Sequence, residues 1–300
     1  MDLAAMRTFV QAVRMGSLSE AARAGWRTQP AVTAQIQKLE REVGDLLLVR
    51  APRGVRPTPT GEILYARAQE ILRQTDELLD ELRAGGSLQR GELRIGATDT
   101  MALGVLPPVL AGFRRRHPGI RLAVDVRGSR ALSERVVRGE LDLALVTLPS
   151  DHPELEGREL HREQVVFVAA PDHPLARRRL RPAEIARLGV IHYERASVTR
   201  EEVAAVFRVQ GLELPITMEV SSPEAIKALV AAGLGIAPLA LSQVSEAVRS
   251  GGLVRLRVTG FRCWRRSGVV RRRSAPLLRA VRAFLQMLPR RAGRRAGRLR

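Results

Sequence analysis

Leu64, Ala68, Ile71, Thr75, Leu78 and Leu82 recur at alternating steps of four and three, and Glu, Arg, Gln and Asp fill most positions between them. This spacing predicts a helix of about three heptads with an apolar seam along one side. Gly85-Gly86-Ser87 follows as a stop and a hinge. The segment forms a unit of its own, so the residues on either side of it must fold separately. Two readings of the seam compete: it pairs with the same helix of a second copy, or it lies against the chain's own neighbouring domain.

The first 43 residues read as three helices. Leu3, Met6, Phe9, Val10 and Val13 make one apolar stripe, which Gly16-Ser17 ends. Ser17 or Ser19 caps a short second helix with Ala21 and Ala22 on it. Thr28 is the expected N-cap of a third, with Pro30 just inside it, where proline is tolerated. Val32, Ile36 and Leu39 give that helix a buried side, leaving Gln29, Thr33, Gln35, Gln37 and Lys38 on its other faces. A short helix, a tight break and a helix with a polar, mostly uncharged face is a helix-turn-helix arrangement. Gln, Thr and Lys side chains suit base edges in the major groove, and the Thr28 end offers free N–H groups to a phosphate. Leu46 to Gly61 alternates apolar and polar around Pro52-Arg53-Gly54, which reads as a two-stranded wing with Arg53 at its tip. An ordinary solvated helix face competes with base reading for each of these residues.

From Gly91 onward strands alternate with helices: 93–97 strand, 103–116 helix, 120–126 strand, 132–138 helix and 141–146 strand. This order argues for a parallel sheet with helices on both faces. A second lobe follows, with strands at 164–169, 190–192, 216–220 and 235–238, and helices near 182–187, 200–210, 223–232 and 240–248. The chain is expected to cross between lobes near 149–160, return near 255–267 and close with a helix over 276–288. Ligands of such folds sit in the crevice at the carboxyl ends of strands. Thr98, Thr100, Ser129, Thr147, Ser197, Thr199, Ser221 and Ser222 lie at such ends, where hydroxyls and helix N–H groups suit a small anion. Helix capping is the competing role for each hydroxyl. Asp99 would repel an anion if it pointed inward, and Arg195 and Arg200 flank the second-lobe loop as compensating charges.

The runs Arg7-Thr8-Phe9-Val10, Gly16-Ser17-Leu18-Ser19-Glu20-Ala21-Ala22, Thr28-Gln29-Pro30-Ala31-Val32-Thr33-Ala34-Gln35-Ile36 and Arg50-Ala51-Pro52-Arg53-Gly54-Val55 closely resemble the N-terminal domain of LysR-type transcriptional regulators. The resemblance implies that Gln29, Pro30, Thr33 and Ala34 begin a recognition helix and that Arg53 works from a wing. Gly91-Glu92-Leu93-Arg94-Ile95-Gly96, Gly139-Glu140-Leu141-Asp142-Leu143-Ala144-Leu145 and Ala231-Ala232-Gly233-Leu234-Gly235-Ile236 look like the effector-binding domain of the same family. That domain is similar to periplasmic binding proteins, and the resemblance implies that its pocket positions carry over to Thr98, Thr100, Ser129, Thr147, Ser197 and Thr199. Helices like the 62–84 segment pair across a dimer in this family.

The expected architecture is α/β: an N-terminal winged helix-turn-helix at 1–61, a linker (dimerisation) helix and hinge at 62–87, a two-lobed α/β effector domain at 88–288 and a basic disordered tail at 289–300. The implied function is a DNA-binding transcription regulator that binds double-stranded promoter DNA as a homodimer or homotetramer. It would respond to a small-molecule effector, with an anion among the options, and act in the cytoplasm. Composition agrees only indirectly. The net charge is +19, but residues 261–300 hold 14 Arg and no acid, and residues 1–62 carry only +3. Leu229 to Leu241, the longest nearly apolar stretch, falls short of the ~20 residues of a spanning helix, which argues against a membrane partner. Cys263 is the single cysteine, and His117, His152, His161, His173 and His192 lack metal-ligand spacing. No cofactor, metal or enzymatic motif is expected. A two-lobed solute-binding or enzymatic domain with a merely dimerising N-terminus is the rival class, and it predicts a secretion signal or a catalytic constellation. A regulator that senses no ligand is a third reading.

Overall fold

The computed structural model describes all residues except 26, 52–53, 84–90, 151 and 290–300, and the side chains of 77 and 80–83 are likewise outside it. Arg53, the Gly85-Gly86-Ser87 hinge and nearly all of the expected tail therefore lie outside the described residues. The chain divides into two compact units, residues 1–91 with 138–140, and the remainder.

In the first unit, α1 (Leu3–Met15), α2 (Leu18–Ala24) and α3 (Gln29–Val43) precede a hairpin of β1 (Leu48–Ala51) and β2 (Gly54–Pro57), and α4 (Pro59–Arg83) follows. Asp2 caps α1 by accepting from the Ala4 N–H at 3.0 Å, and Ser17 caps α2 through the Glu20 N–H at 3.3 Å. Phe9, Ile36, Leu39 and Leu47 form the core of the unit. The hairpin docks on the end of α1, where the Val55 N–H donates to the Gly16 carbonyl at 2.8 Å. Gly54, at φ 113°, has no room for a side chain there, since a Cβ would lie 1.9 Å from the Gly16 oxygen.

The α4 seam divides. Ala68 and Leu72 are buried with Met6 of α1, and Leu64 and Val10 pack against them. Away from that face, Ile71, next to Leu72, is 39% exposed, and farther along Leu78 is 54% exposed, with Thr75 between them. The two readings of the seam thus apply to different parts of one helix: its start lies on its own unit, and its later turns leave an apolar stripe uncovered.

The second unit begins with β3 (Gly91–Ala97), α5 (Asp99–Gly104), α6 (Leu106–Arg116), β4 (Ile120–Val126), α7 (Ser129–Val137) and β5 (Leu143–Leu148), which build a first lobe. The single helix expected over 103–116 is two, because Leu106-Pro107-Pro108 opens a new first turn after Val105. A second lobe holds β7 (Arg179–Leu180), α8 (Pro182–Ile185), β8 (Val190–Tyr193), α9 (Val198–Arg208), β9 (Ile216–Val220), α10 (Pro223–Ala231), β10 (Ala237–Ala240), α11 (Leu241–Arg249), β11 (Val254–Arg255) and β12 (Arg257–Val258).

Two long strands, β6 (Leu155–Ala169) and β13 (Cys263–Arg272), run antiparallel through both lobes, and α12 (Arg279–Met287) then packs Phe284 on Phe113 of the first lobe. The crossing near 149–160 and the strand at 164–169 are thus one continuous element. The main sheet has the order β10-β6-β13-β5-β3-β4, with β11 on β6. The expected parallel pairing holds for β3 with β5, and the sheet gains a strand of the other direction, since β13 pairs antiparallel with both β5 and β6. The reason is geometric, since a chain re-entering the first lobe runs against the strand by which it left. Val165, Phe167 and Ala169 face one core and Val166 and Val168 another, which explains the unbroken apolar run of β6.

Candidate functional site

The first unit presents α3. Val32, Ile36 and Leu39 are buried, so helical geometry turns Gln29, Pro30, Ala34, Gln37 and Lys38 to solvent, with Thr33 half-buried. Thr28 occupies the N-cap position in an extended conformation, yet its side chain makes no capping bond. Thr28 is thus the N-cap that the sequence suggests, and its hydroxyl takes none of the first-turn N–H groups of α3, which suits an anion there. Ser19 donates to Gln29 Oε1 at 3.1 Å and so orients that amide. Gln35 is committed elsewhere, accepting from Thr8 at 2.7 Å and from Arg27 at 2.5 Å. That pairing ties the start of α3 to α1.

In the second unit, the ends of β3, β4, β5 and β8 meet the starts of α5, α7, α9 and α10 around a cavity of about 350 Å³. All six expected hydroxyl residues, Thr98, Thr100, Ser129, Thr147, Ser197 and Thr199, line it. Ser129 Oγ accepts from the Thr147 N–H at 3.0 Å, and Ser197 caps α9 through the Arg200 N–H at 3.4 Å. Asp99 lines the cavity as well. Arg195 and Arg200 do not; they pair with Glu219 at 3.7 and 2.9 Å, and Arg200 also donates to the Tyr193 carbonyl. The cations on the wall are instead Arg127, Arg130 and Arg265.

The sequence reading also missed the network beneath Thr100. Arg265 of β13 and Glu163 of β6 form a buried ion pair at 2.7 Å. Burial opposes the charge on Glu163, but Arg265 and a hydrogen bond from the Ser242 N–H hold its carboxyl below the usual value. Arg265 and Gln243 both donate to Thr100 Oγ1, at 3.3 and 2.8 Å. Gln243 Oε1 accepts from the Tyr193 hydroxyl at 3.1 Å, and burial pushes that phenol up to about 12. No local signal marked these residues, because Gln243 and Arg265 stand 143 and 165 positions from Thr100.

A second cavity of about 590 Å³ adjoins the first through Ser129, Arg130, Thr147 and Val198. Glu202 of α9 lines it, and burial raises its carboxyl from 4.5 to about 7 against the pull of Arg266 and Arg265. His192 is buried and held down to about 3 by burial and by Arg200. Its Nδ1 accepts from the Tyr193 N–H at 2.8 Å, and it lines neither cavity. Among the described residues, no group of His, Cys, Asp and Glu is arranged to hold a metal ion, and no helix is long and apolar enough to cross a membrane.

Residues 3–62 match the model of the bacterial regulatory helix-turn-helix protein, lysR family, and residues 86–293 match that of the LysR substrate binding domain. The chain belongs to the LysR family of DNA-binding transcription regulators. Among its relatives in that family, the HTH-type transcriptional regulator CbbR of Xanthobacter flavus is 34% identical over 95% of this chain and 86% of that protein. Full-length OxyR of Pseudomonas aeruginosa has a similar structure, with a TM-score of 0.76 at 25% identity over 96% of this chain and 94% of the other. The CcmR regulatory domain of Synechocystis PCC6803, solved in complex with 2-PG, has a TM-score of 0.61 at 26% identity over 66% of this chain and 96% of that one. The matched models and CbbR are regulators rather than enzymes, and the cleft residues of this LysR-type chain are accordingly read as a binding site.

Proposed function

We propose that residues 1–61 of this LysR-type regulator bind promoter DNA through α3, that 62–87 join two copies, and that 88–288 bind the effector. In this reading Gln29, Pro30, Thr33, Ala34, Gln37 and Lys38 lie along the major groove, Thr28 stands at a phosphate, and the hairpin bearing Arg53 follows the backbone. The observation that carries the reading is the open, uncapped first turn of α3, with exposed polar side chains on the same face. The exposed stripe of Ile71 and Leu78 on α4 supports pairing into a homodimer, from which a homotetramer can assemble. A dimer is also what two half-sites about one helical turn apart require.

The effector occupies the cleft lined by Thr98, Thr100, Ser129, Thr147, Ser197 and Thr199. Its chemistry is that of a small anion, because hydroxyls and helix-start N–H groups converge there, and CcmR was solved with 2-PG. Binding across two lobes favours one lobe arrangement over another and so shifts how paired DNA-binding units meet their half-sites. The site of action is the cytoplasm, where the DNA is. A competition gel shift on the DNA upstream of the chain's own gene tests the assignment of α3. Gln29→Ala and Thr33→Ala are expected to lose about tenfold in preference for that DNA over random duplex, the size of one base contact. Unaltered preference in both variants contradicts it.

A further inference from the structure

We propose that Gln243 sets the hydrogen-bond polarity of the cleft, fixing Thr100 as a donor so that an oxyanion group of the ligand is taken at that point. The proposal rests on the reading of the cleft as the effector site. Gln243 stands in the first turn of α11 in the second lobe, and Thr100 stands in α5 of the first. Gln243 Oε1 lies 3.0 Å from the Ala240 backbone nitrogen. A backbone N–H can only donate, so this contact fixes which end of the amide is oxygen. The Tyr193 hydroxyl donates to the same oxygen at 3.1 Å. Nε2 must then face Thr100 Oγ1, which it does at 2.8 Å, and it too can only donate.

Arg265 is a second obligate donor to the same hydroxyl, at 3.3 Å. Two incoming donors fill both acceptor positions of a threonine oxygen. The Thr100 proton must go elsewhere, and among the described residues it has no acceptor, while the residue lines the cavity. Ser129, Ser197 and Ser222 each accept a single N–H, from Thr147, Arg200 and Ala225, so each can still donate or accept toward the cavity, and Thr100 is the hydroxyl whose direction is fixed. Net charge does not create this preference, since Arg265 is matched by Glu163, Arg127 and Arg130 pair with Asp125 and Glu201, and Asp99 and Glu194 add negative charge to the wall.

Methanesulfonate and methanesulfonamide have nearly the same shape, but only the first is an oxyanion, and the second carries an N–H donor. Ligand-observed NMR titration of the full chain with each is expected to show the sulfonate preferred by about tenfold, as for a hydrogen bond to a charged group. In Gln243→Glu an ionised carboxylate faces Thr100, draws its proton and removes the donor. Sulfonate affinity should then fall about tenfold while sulfonamide affinity changes by less than about twofold. Gln243→Met, which leaves the hydroxyl free to turn, should lose less sulfonate affinity than Gln243→Glu, and circular dichroism of both variants checks that they fold. Equal affinity of the wild type for the two probes, or parallel loss of both probes in folded Gln243→Glu, overturns the proposal. Sulfonate affinity unchanged in Thr100→Val contradicts the reading of the cleft itself, independently of Gln243.

Discussion

Glu163 and Arg265 are 6% and 4% exposed at their side chains, so each depends on the other for compensation in a poorly solvated place. Removing one partner is costlier than the net worth of the pair. Arg265→Met should therefore lower stability by about 3–5 kcal/mol, read from urea unfolding. The two perturbed carboxylates nearby should respond to pH in opposite senses. Glu163 is held below its usual value, so its contribution is present above the ordinary carboxylate range and lost as pH falls through its lowered value. Glu202 is raised from 4.5 to about 7, so folding takes up a proton there, and stability is lost as pH rises between those values. Glu202→Gln should be more stable than wild type at pH 7.5, with the difference shrinking toward pH 5; a difference independent of pH would contradict the assignment. Thr98, Thr100, Ser129, Ser197 and Thr199 could be read from the chain because each stands where a strand gives way to a helix, whereas Thr147 lies within β5, which β6 follows with no helix between. Gln243, Glu163 and Arg265 could not, because they come from α11, β6 and β13, which only the folded chain brings under Thr100.

Among the elements, α4 joins two environments in 25 residues. Ala68 is buried on α1, whereas Leu78 is 54% exposed. Ala68→Glu should unfold the first unit, and Leu78→Glu should leave its melting temperature almost unchanged while weakening self-association in light scattering. Loss of folding in Leu78→Glu would mean that this stripe already has an intramolecular partner. Helical spacing gave α1 and α3 almost to the residue, because one face of each meets a core, but it began α4 at 62 and ran the wing to Gly61, whereas β2 ends at Pro57 and α4 begins at Pro59. It did not separate the two roles of α4, since an apolar residue buried within the unit and one awaiting a second copy look alike in sequence. Strand direction was equally hidden. The βαβαβ alternation points to parallel pairing, and β3 with β5 obeys it, but β13 enters beside β5 from a distant part of the chain. In the wing, Gly54→Ala places a Cβ against the Gly16 carbonyl and should cost about 2 kcal/mol or more, a strained backbone and an overpacked contact together.

For the molecule as a whole, the +19 charge is a poor guide to the DNA-reading surface, because residues 1–62 contribute only +3. The 14 arginines of residues 261–300 are expected to add sequence-independent, salt-sensitive attraction to DNA. Deleting 289–300 should lower background binding in low salt and leave specific binding in place. In the proposed function specificity belongs instead to α3 and to the pairing of two copies, and this is the claim on which the rest depends. It is tested most directly by a DNase I footprint of the full chain on the DNA upstream of its own gene. The account predicts protection with dyad symmetry, with half-sites about one helical turn or a multiple apart; protection without symmetry, or uniform protection of any duplex at modest salt, would contradict it.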